Sequence, residues 1–404
     1  MVETCHADAT AQRSVLFVDD EPNVLQALER MLRPLRREYT MTFALGGSEA
    51  LRALELSRFD VLVTDMLMPG MNGTELMEQV LRRHPEVIRI ALSGHADREL
   101  VIRAIGLAHQ YLSKPCDADY LKEKLSQAFR LKRLIDSEKL RSLVSTPNAL
   151  PSVPALYADI MAEVEGRHPS AQRIGEIVSR DPAMTAKILQ LINSAFFALR
   201  TCISDPGQAV QLLGLDTVRS LALTVQVFAH FESRDVSKIW QHSLRTAHGA
   251  ATVARHMGLD HRGVSESFTA GLLHDAGKLV MTSAFPEYGE IVRAATDEGI
   301  DAEQAERTGL GGSHADVGAY LFGLWGLPIG IVEAVAWHHR PSESGCGRPC
   351  ALTAVHTANA IDHERYTTTA GKPAIDRDYL RALGFDNMYE GWVNDVAAGD
   401  RTGS

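Results

Sequence analysis

No run of apolar residues in this chain reaches the ~18 that a membrane-spanning helix needs. The stretch from Met1 to Arg13 is polar and has no apolar core of the kind a secretory signal carries, so a cytoplasmic location and no membrane association are expected. Basic charge is in deficit. Against 51 Asp and Glu stand 41 Lys and Arg, a formal net charge of −10, which disfavours a general binder of nucleic acid or of anionic membrane. Cysteine is scarce and odd in number: Cys5, Cys116, Cys202, Cys346 and Cys350 are scattered as reduced thiols would be. Cys346 and Cys350 share a Gly- and Pro-rich loop, but no second pair completes a metal site, so neither a metal nor a disulfide is expected there. The remaining composition, 45% hydrophobic and 23% charged, is ordinary for a globular protein. A length of 404 residues predicts two or three domains.

The N-terminal part alternates strands and helices. Ser14 to Val18 reads as a strand running into Asp19-Asp20-Glu21, and Pro22 then suits a first helical turn. A weak strand follows near Tyr39 to Ala44, and a helix near Ser48 to Leu56. Val61-Leu62-Val63-Thr64 runs straight into Asp65, with turn-formers Pro69, Gly70 and Asn72-Gly73 behind it. Helix Gly73 to Arg83, strand Val87 to Leu92, helix Arg98 to Leu107 and a short strand Gln110 to Leu112 complete five βα units. That pattern predicts a doubly wound, five-stranded parallel sheet with helices on both faces.

Such a sheet lifts Asp65 to the carboxyl edge, where open α/β folds do their chemistry. An aspartate that accepts a phosphoryl group must be approached by another anion, which calls for a hard cation such as Mg²⁺ and carboxylate ligands. Asp19, Asp20 and Asp65 supply three at neighbouring strand ends. Lys114 and Ser93, also at strand ends, suit a cation and a hydroxyl beside the transferring group. With Val18-Asp19-Asp20-Glu21, Asp65 followed by Met68-Pro69-Gly70, Ser93-Gly94 and Tyr111-Leu112-Ser113-Lys114-Pro115, the segment resembles the receiver domain of two-component response regulators. The resemblance implies that a sensor histidine kinase phosphorylates Asp65. It implies that Asp19, Asp20 and the backbone carbonyl of Leu67 help hold Mg²⁺. It also implies a switch in which Ser93 moves toward the phosphoryl group and Tyr111 rotates inward.

Asp117 to Leu143 contains neither Gly nor Pro, and Leu121, Leu125, Ala128, Leu131, Leu134, Ile135 and Leu140 mark one face. The expectation is one helix carried past its domain, able to pair with a second chain as a homodimer. Beyond it strand periodicity is missing and helical patterns succeed one another: Val153–Val164, Ala171–Ser179, Pro182–Asn193, Asp205–Leu213, Asp216–Phe231, Ile239–Met257, Ser265–His274, Gly289–Glu298, His314–Leu324, Ile329–His338 and Ala351–Asp362. An all-α domain follows. His242, His274-Asp275, His314 and His338-His339 fall at or near the ends of separate helices. Imidazole and carboxylate converging from several helices is how di-metal sites are built in bundles. Adjacent His338 and His339 cannot share a helix face, which suits two metals, or a metal and a phosphate. Lys278, one turn past His274-Asp275, suits an anion.

This half resembles the HDOD domain, a relative of the metal-dependent HD phosphohydrolases. The carrying motifs are Leu150-Pro151-Ser152-Val153-Pro154, Asp181-Pro182-Ala183-Met184-Thr185, Asn193-Ser194-Ala195, Leu213-Gly214-Leu215, Trp240-Gln241-His242-Ser243, Gly271 to Lys278, His314 with Val317-Gly318-Ala319, Trp325-Gly326-Leu327-Pro328 and His338-His339. The resemblance implies a helical output module of bacterial signalling. It divides the chain into a flexible N-terminus (1–12), a receiver (13–118), a helical connector (119–147) and an HDOD domain (148–404), with HD-like motifs in 239–363. Two departures bear on catalysis. Arg340-Pro341-Ser342-Glu343-Ser344-Gly345 follows His339, where cyclic-di-GMP phosphodiesterases of the HD-GYP type have Gly-Tyr-Pro. The last ligand position falls near Asn359, with Asp362 one turn later as a substitute. The expected function is a response regulator whose output module binds a partner protein or small ligand. The alternative is a phosphohydrolase of cyclic dinucleotides or nucleotides, carrying two metals (Fe, Mn or Zn). Direct DNA binding is not expected, since no helix-turn-helix stands out and the chain is acidic.

Overall fold

Val15 to Val18 and Val61 to Val63 are at most 1% exposed, because each belongs to a strand with neighbours on both sides and helices on both faces. These are β1 (Arg13–Asp19) and β3 (Val61–Asp65), joined in one sheet by β2 (Tyr39–Leu45), β4 (Ile88–Ser93) and β5 (Gln110–Ser113). The order is β2-β1-β3-β4-β5, all parallel. Helices α1 (Pro22–Met31), α2 (Gly47–Leu56) and α3 (Gly73–Arg83) fall where the periodicity places them. At the start of α3, Asn72 accepts from the Glu75 amide at 2.9 Å while Glu75 accepts from the Asn72 amide at 3.1 Å, a reciprocal cap. The computed structural model describes residues 13–93, 107–114, 116–132, 135, 137–144, 159–160, 162–163, 169–193, 201–214, 218, 234–366 and 374–399. The expected flexible N-terminus, the helix Arg98 to Leu107 but for its last residue, and most of the helices Val153–Val164 and Asp216–Phe231 lie outside them.

The connector is not one helix. Helix α4 (Ala118–Lys132) ends, Ile135 and Ser137 are non-helical, and α5 (Glu138–Val144) starts afresh. The apolar stripe that suggested a long helix is used within the chain. Leu121, Leu125, Ala128, Leu131, Ile135 and Leu140 are all buried, and α4 packs against a helix of the C-terminal half.

That half is helical throughout among the described residues: α6 (Ala171–Val178), α7 (Pro182–Ile192), α8 (Pro206–Leu213), α9 (Arg234–His256), α10 (His261–Leu273), α11 (Ala276–Ala284), α12 (Tyr288–Asp297), α13 (Ala302–Leu310), α14 (His314–Leu324), α15 (Ile329–Trp337), α16 (Ala351–Tyr366), α17 (Arg377–Ala382) and α18 (Tyr389–Gly399). The sequence reading did not draw α11, α13, α17 or α18. The long α9 is the spine, packed on α10, α16 and α18. Helices α14 and α16 lie inside the bundle: every residue from His314 to Leu324 and from Ala351 to Asp362 is buried. No described helix is long and apolar enough to cross a membrane.

Candidate functional sites

Two clusters of ligand-type side chains form, one in each half. In the sheet, parallel register brings the ends of β1, β3 and β5 together. Ligand atoms of Asp19, Asp20 and Asp65 lie within 4.8 Å of one another. Lys114 reaches in from the end of β5, its Nζ 2.7 Å from Asp19 Oδ2 and 2.9 Å from Asp65 Oδ1. Burial pushes the Asp65 carboxyl above its usual range, and Lys114 only partly opposes it. Burial also depresses Lys114, but the two carboxylates override it and hold the amine above its ordinary value. A pocket in which burial and a neighbouring carboxylate raise a carboxyl's affinity for protons fits a divalent cation. Met66 donates its amide to Asp65 Oδ1 at 2.9 Å. Gly73 must be glycine, because a Cβ there would lie 2.1 Å from the Asp65 carbonyl oxygen. Ser93 ends β4, in parallel register with Ser113 of β5. Tyr111 is buried on β5, and Leu67 is an exposed residue two places after Asp65.

The second cluster gathers from four places in the bundle. His242 comes from α9, His274 and Asp275 from the α10–α11 turn, His314 from the start of α14, and His338 and His339 from the end of α15. Asp275 is central. Its Oδ1 lies 3.2 Å from His314 Nε2 and 3.8 Å from His338 Nε2, while its Oδ2 lies 3.5 Å from both His242 Nε2 and His274 Nε2. Two ligand groups result, Asp275 with His314, His338 and His339, and Asp275 with His242 and His274. The six residues the sequence proposed are thus brought together, on two sides of one carboxylate. Lys278 donates to Asp275 Oδ2 at 2.7 Å.

The other ring nitrogens decide what the cluster can hold. His274 Nδ1 and His338 Nδ1 face the carbonyls of Gly271 and Val335, at 2.7 and 2.8 Å. His242 Nδ1 and His314 Nδ1 face the carboxylates of Asp362 and Glu306, both at 2.6 Å. All four partners only accept here, so Nδ1 carries the proton; on His242, His274 and His338 Nε2 then turns a lone pair to the centre, while His314 Nε2 faces Asp275 Oδ1. His242 Nε2 then sits 3.1 Å from His274 Nε2, and His339 Nε2 3.0 Å from His314 Nε2. The facing lone pairs of His242 and His274 repel unless a cation lies between them. Burial pushes His274 down to about 4 and drives His338 and His339 well below the usual imidazole range, so these rings stay neutral ligands at pH 7. Burial also opposes charge on His314, but Glu306 and Asp275 raise it to about 9. The donor set fits transition metals, with four of the five imidazoles oriented from behind as metal-binding histidines are.

Asp362 stands behind His242 rather than among the facing donors, its oxygens also held by Arg245 at 2.6 and 3.0 Å. Asn359 is buried on α16, and its Oδ1 has no hydrogen-bond partner. The sequence reading missed Glu306 and Arg245. Glu306 lies on α13, a helix it did not draw, and takes a further hydrogen bond from Tyr288 Oη at 2.7 Å. Nothing local separates it from a surface glutamate.

Comparison with known proteins agrees with this division. Residues 15–126 match the response regulator receiver domain, and residues 150–341 match the HDOD domain. An uncharacterized protein of Treponema pallidum is 27% identical over 201 residues, 49% of this chain and 39% of that protein. The hydrogenase transcriptional regulatory protein HoxA of Cupriavidus necator is 36% identical over 119 residues, 29% of this chain and 24% of its own. The chain therefore spans well under half the length of these curated relatives. Among solved structures, the MmoQ response regulator of Methylococcus capsulatus is 24% identical, with 61% of this chain and 98% of that one covered and a TM-score of 0.49. The signal receiver domain of an HD domain-containing protein from Pseudomonas fluorescens is 32% identical over 30% of this chain and 98% of its own, with a TM-score of 0.29.

Proposed function

Because this chain is a response regulator that joins a receiver domain to an HDOD domain, we propose that a sensor histidine kinase phosphorylates it on Asp65 and that the HDOD module reports the change by binding a partner protein or ligand. Asp19, Asp20 and Asp65, with the Leu67 carbonyl, would hold Mg²⁺, whose charge would offset that of the approaching phosphoryl group. Lys114 gives up part of its pairing with Asp65 to the incoming phosphoryl oxygens, and Ser93 and Tyr111 follow as the switch. Asp275 with His314, His338 and His339, and Asp275 with His242 and His274, would hold transition metals. The cluster of carboxylates beside Lys114 carries the receiver part of this reading. Labelling by radioactive acetyl phosphate tests it: Asp65→Asn abolishes the label, and a label that persists refutes the acceptor.

One observation favours a second reading, a phosphorylation-regulated phosphohydrolase. A single carboxylate shared by two sets of imidazoles, with Lys278 beside it, is a sound base for metal-assisted attack on a phosphodiester. Metals there supply a hydroxide and neutralise phosphate charge. Against turnover stand the absent Gly-Tyr-Pro signature, Asn359 in place of an acid, and Arg340, whose guanidinium is occupied by Glu303 and Glu343. Elemental analysis with a cyclic-dinucleotide hydrolysis assay separates the readings. Bound metal without hydrolysis supports a binding module, whereas hydrolysis lost in His274→Ala establishes the enzyme.

A further inference from the structure

The loop from α15 to α16 brings two thiols together that composition alone leaves apart. Cys346 Sγ and Cys350 Sγ are 3.3 Å from each other, and neither residue is fully buried. The loop between them is prepared by its neighbours. Ser344 Oγ accepts from the Cys346 amide at 3.1 Å, and Gly345 takes φ +69°, which turns the chain back toward Cys350. Cys350 immediately precedes α16, and the amides of Leu352 and Thr353 point at its sulfur. Burial and the neighbouring sulfur push the Cys350 thiol up, and those helix amides pull it back. Both cysteines line a cavity of about 360 Å³, together with Cys202, Arg262, Glu266 and Glu333. A metal is not the natural occupant: among the described residues, neither sulfur belongs to any group of three ligand atoms close enough to share an ion.

We propose that Cys346 and Cys350 are a redox-sensitive pair that closes to an intramolecular disulfide when a hydroperoxide enters this cavity. One thiolate attacks the O–O bond, forming S–O and releasing water once the leaving oxygen is protonated. The second thiolate attacks that sulfenic sulfur, forming S–S and expelling the oxygen as a second water. Two thiols lose two electrons and two protons in all, and one hydrogen peroxide becomes two waters. A dithiol reductant reverses the bond. The closed ring spans the connection between the helix that leads to His338-His339 and the helix that carries Asn359 and Asp362. The modification therefore sits in the chain segment joining two walls of the histidine cluster, and it stands whether or not that cluster holds metal.

The test uses the full chain, exposed to hydrogen peroxide and then labelled with maleimide under denaturing conditions. Two of the five thiols become unreactive, the intact mass falls by two hydrogens, dithiothreitol restores both, and peptide mapping joins Cys346 to Cys350. Cys346→Ser and Cys350→Ser each abolish the loss, while Cys202→Ser leaves it in place. Oxygen added to a single cysteine, a bridge to Cys202, or a bridge between two chains would overturn the proposal. Should the serine variants misfold, the peptide map of the unaltered protein decides by itself.

Discussion

Lys114 and Lys278 meet the same physical demand in different folds. Each places an ammonium within 2.7 Å of a buried carboxylate that is built to face a cation. Removing either amine would leave an anion poorly compensated, which is costly in a low dielectric. Glu306 works one layer further out. It holds His314 in the tautomer that presents Nε2, so Glu306→Gln should lower metal affinity by roughly 10–100-fold. Competition with a chelator measures it, and unchanged circular dichroism shows that the fold persists. Lys187 offers a pH signature away from both sites. It is 7% exposed, its Nζ lies 4.1 Å above the Trp325 ring, and burial lowers it to about 8. The unfolded amine titrates near ~10.4, so between these values the unfolded chain binds a proton that the folded chain does not. Stability from this group therefore rises as pH increases from about 8 to about 10, by on the order of 3 kcal/mol. Lys187→Met should flatten that rise, as read from unfolding midpoints across the window.

Helices here are placed by close backbone approaches at two glycines. A Cβ on Gly73 would meet the Asp65 carbonyl oxygen at 2.1 Å, and one on Gly277 would meet the His314 carbonyl oxygen at 1.9 Å. In each case the obstructed atom is main chain, which cannot rotate away. Gly277→Ala should cost on the order of 1–3 kcal/mol by forcing α11 from α14, and it should weaken metal binding by moving His314. Gly73→Ala should do the equivalent to the loop behind the acceptor and slow labelling of Asp65 by on the order of tenfold or more. Thermal unfolding and acetyl phosphate labelling distinguish a local from a global effect. Labelling that stays normal in Gly73→Ala would show that the loop yields without moving the carboxylate.

At the scale of the molecule the two domains share a surface rather than a tether. Helix α14 spans the distance between them: His314 is its first residue, and Gly323 near its other end meets the receiver, about 14 Å away at 1.5 Å per residue. The Gly323 carbonyl accepts from Gln110 Nε2 at 3.5 Å and from Gln127 Nε2 at 3.4 Å, and Gln190 Nε2 reaches the His109 carbonyl at 3.3 Å. A Cβ on Gly323 would lie 2.4 Å from Leu131 Cδ2. Under the proposed phosphorylation, a shift of β5 would pass to a rigid element that begins at His314 of the histidine cluster. Gly323→Leu should part this contact. Hydrogen exchange would then show the α14 amides responding to acetyl phosphate in the unaltered chain and not in the variant.

The receiver was legible because its information is local. Apolar runs of strand length ended in Asp19, Asp65, Ser93 and Lys114, and a parallel sheet aligns such ends whatever the helices between them contain. The six cluster residues were legible as motifs on separate helices. The sequence determined, then, two domains, an acidic pocket at a sheet edge, and histidines at helix ends. Only the tertiary structure decided that Asp275 divides those histidines into two groups, that Glu306 and Asp362 stand behind them, and that the connector breaks after Lys132 and spends its apolar face on α14. The physical reason is that helical periodicity shows which face of a helix is apolar but not which neighbour covers it. Whether Leu131 meets a second chain or Gly323 is settled by packing between residues almost two hundred positions apart.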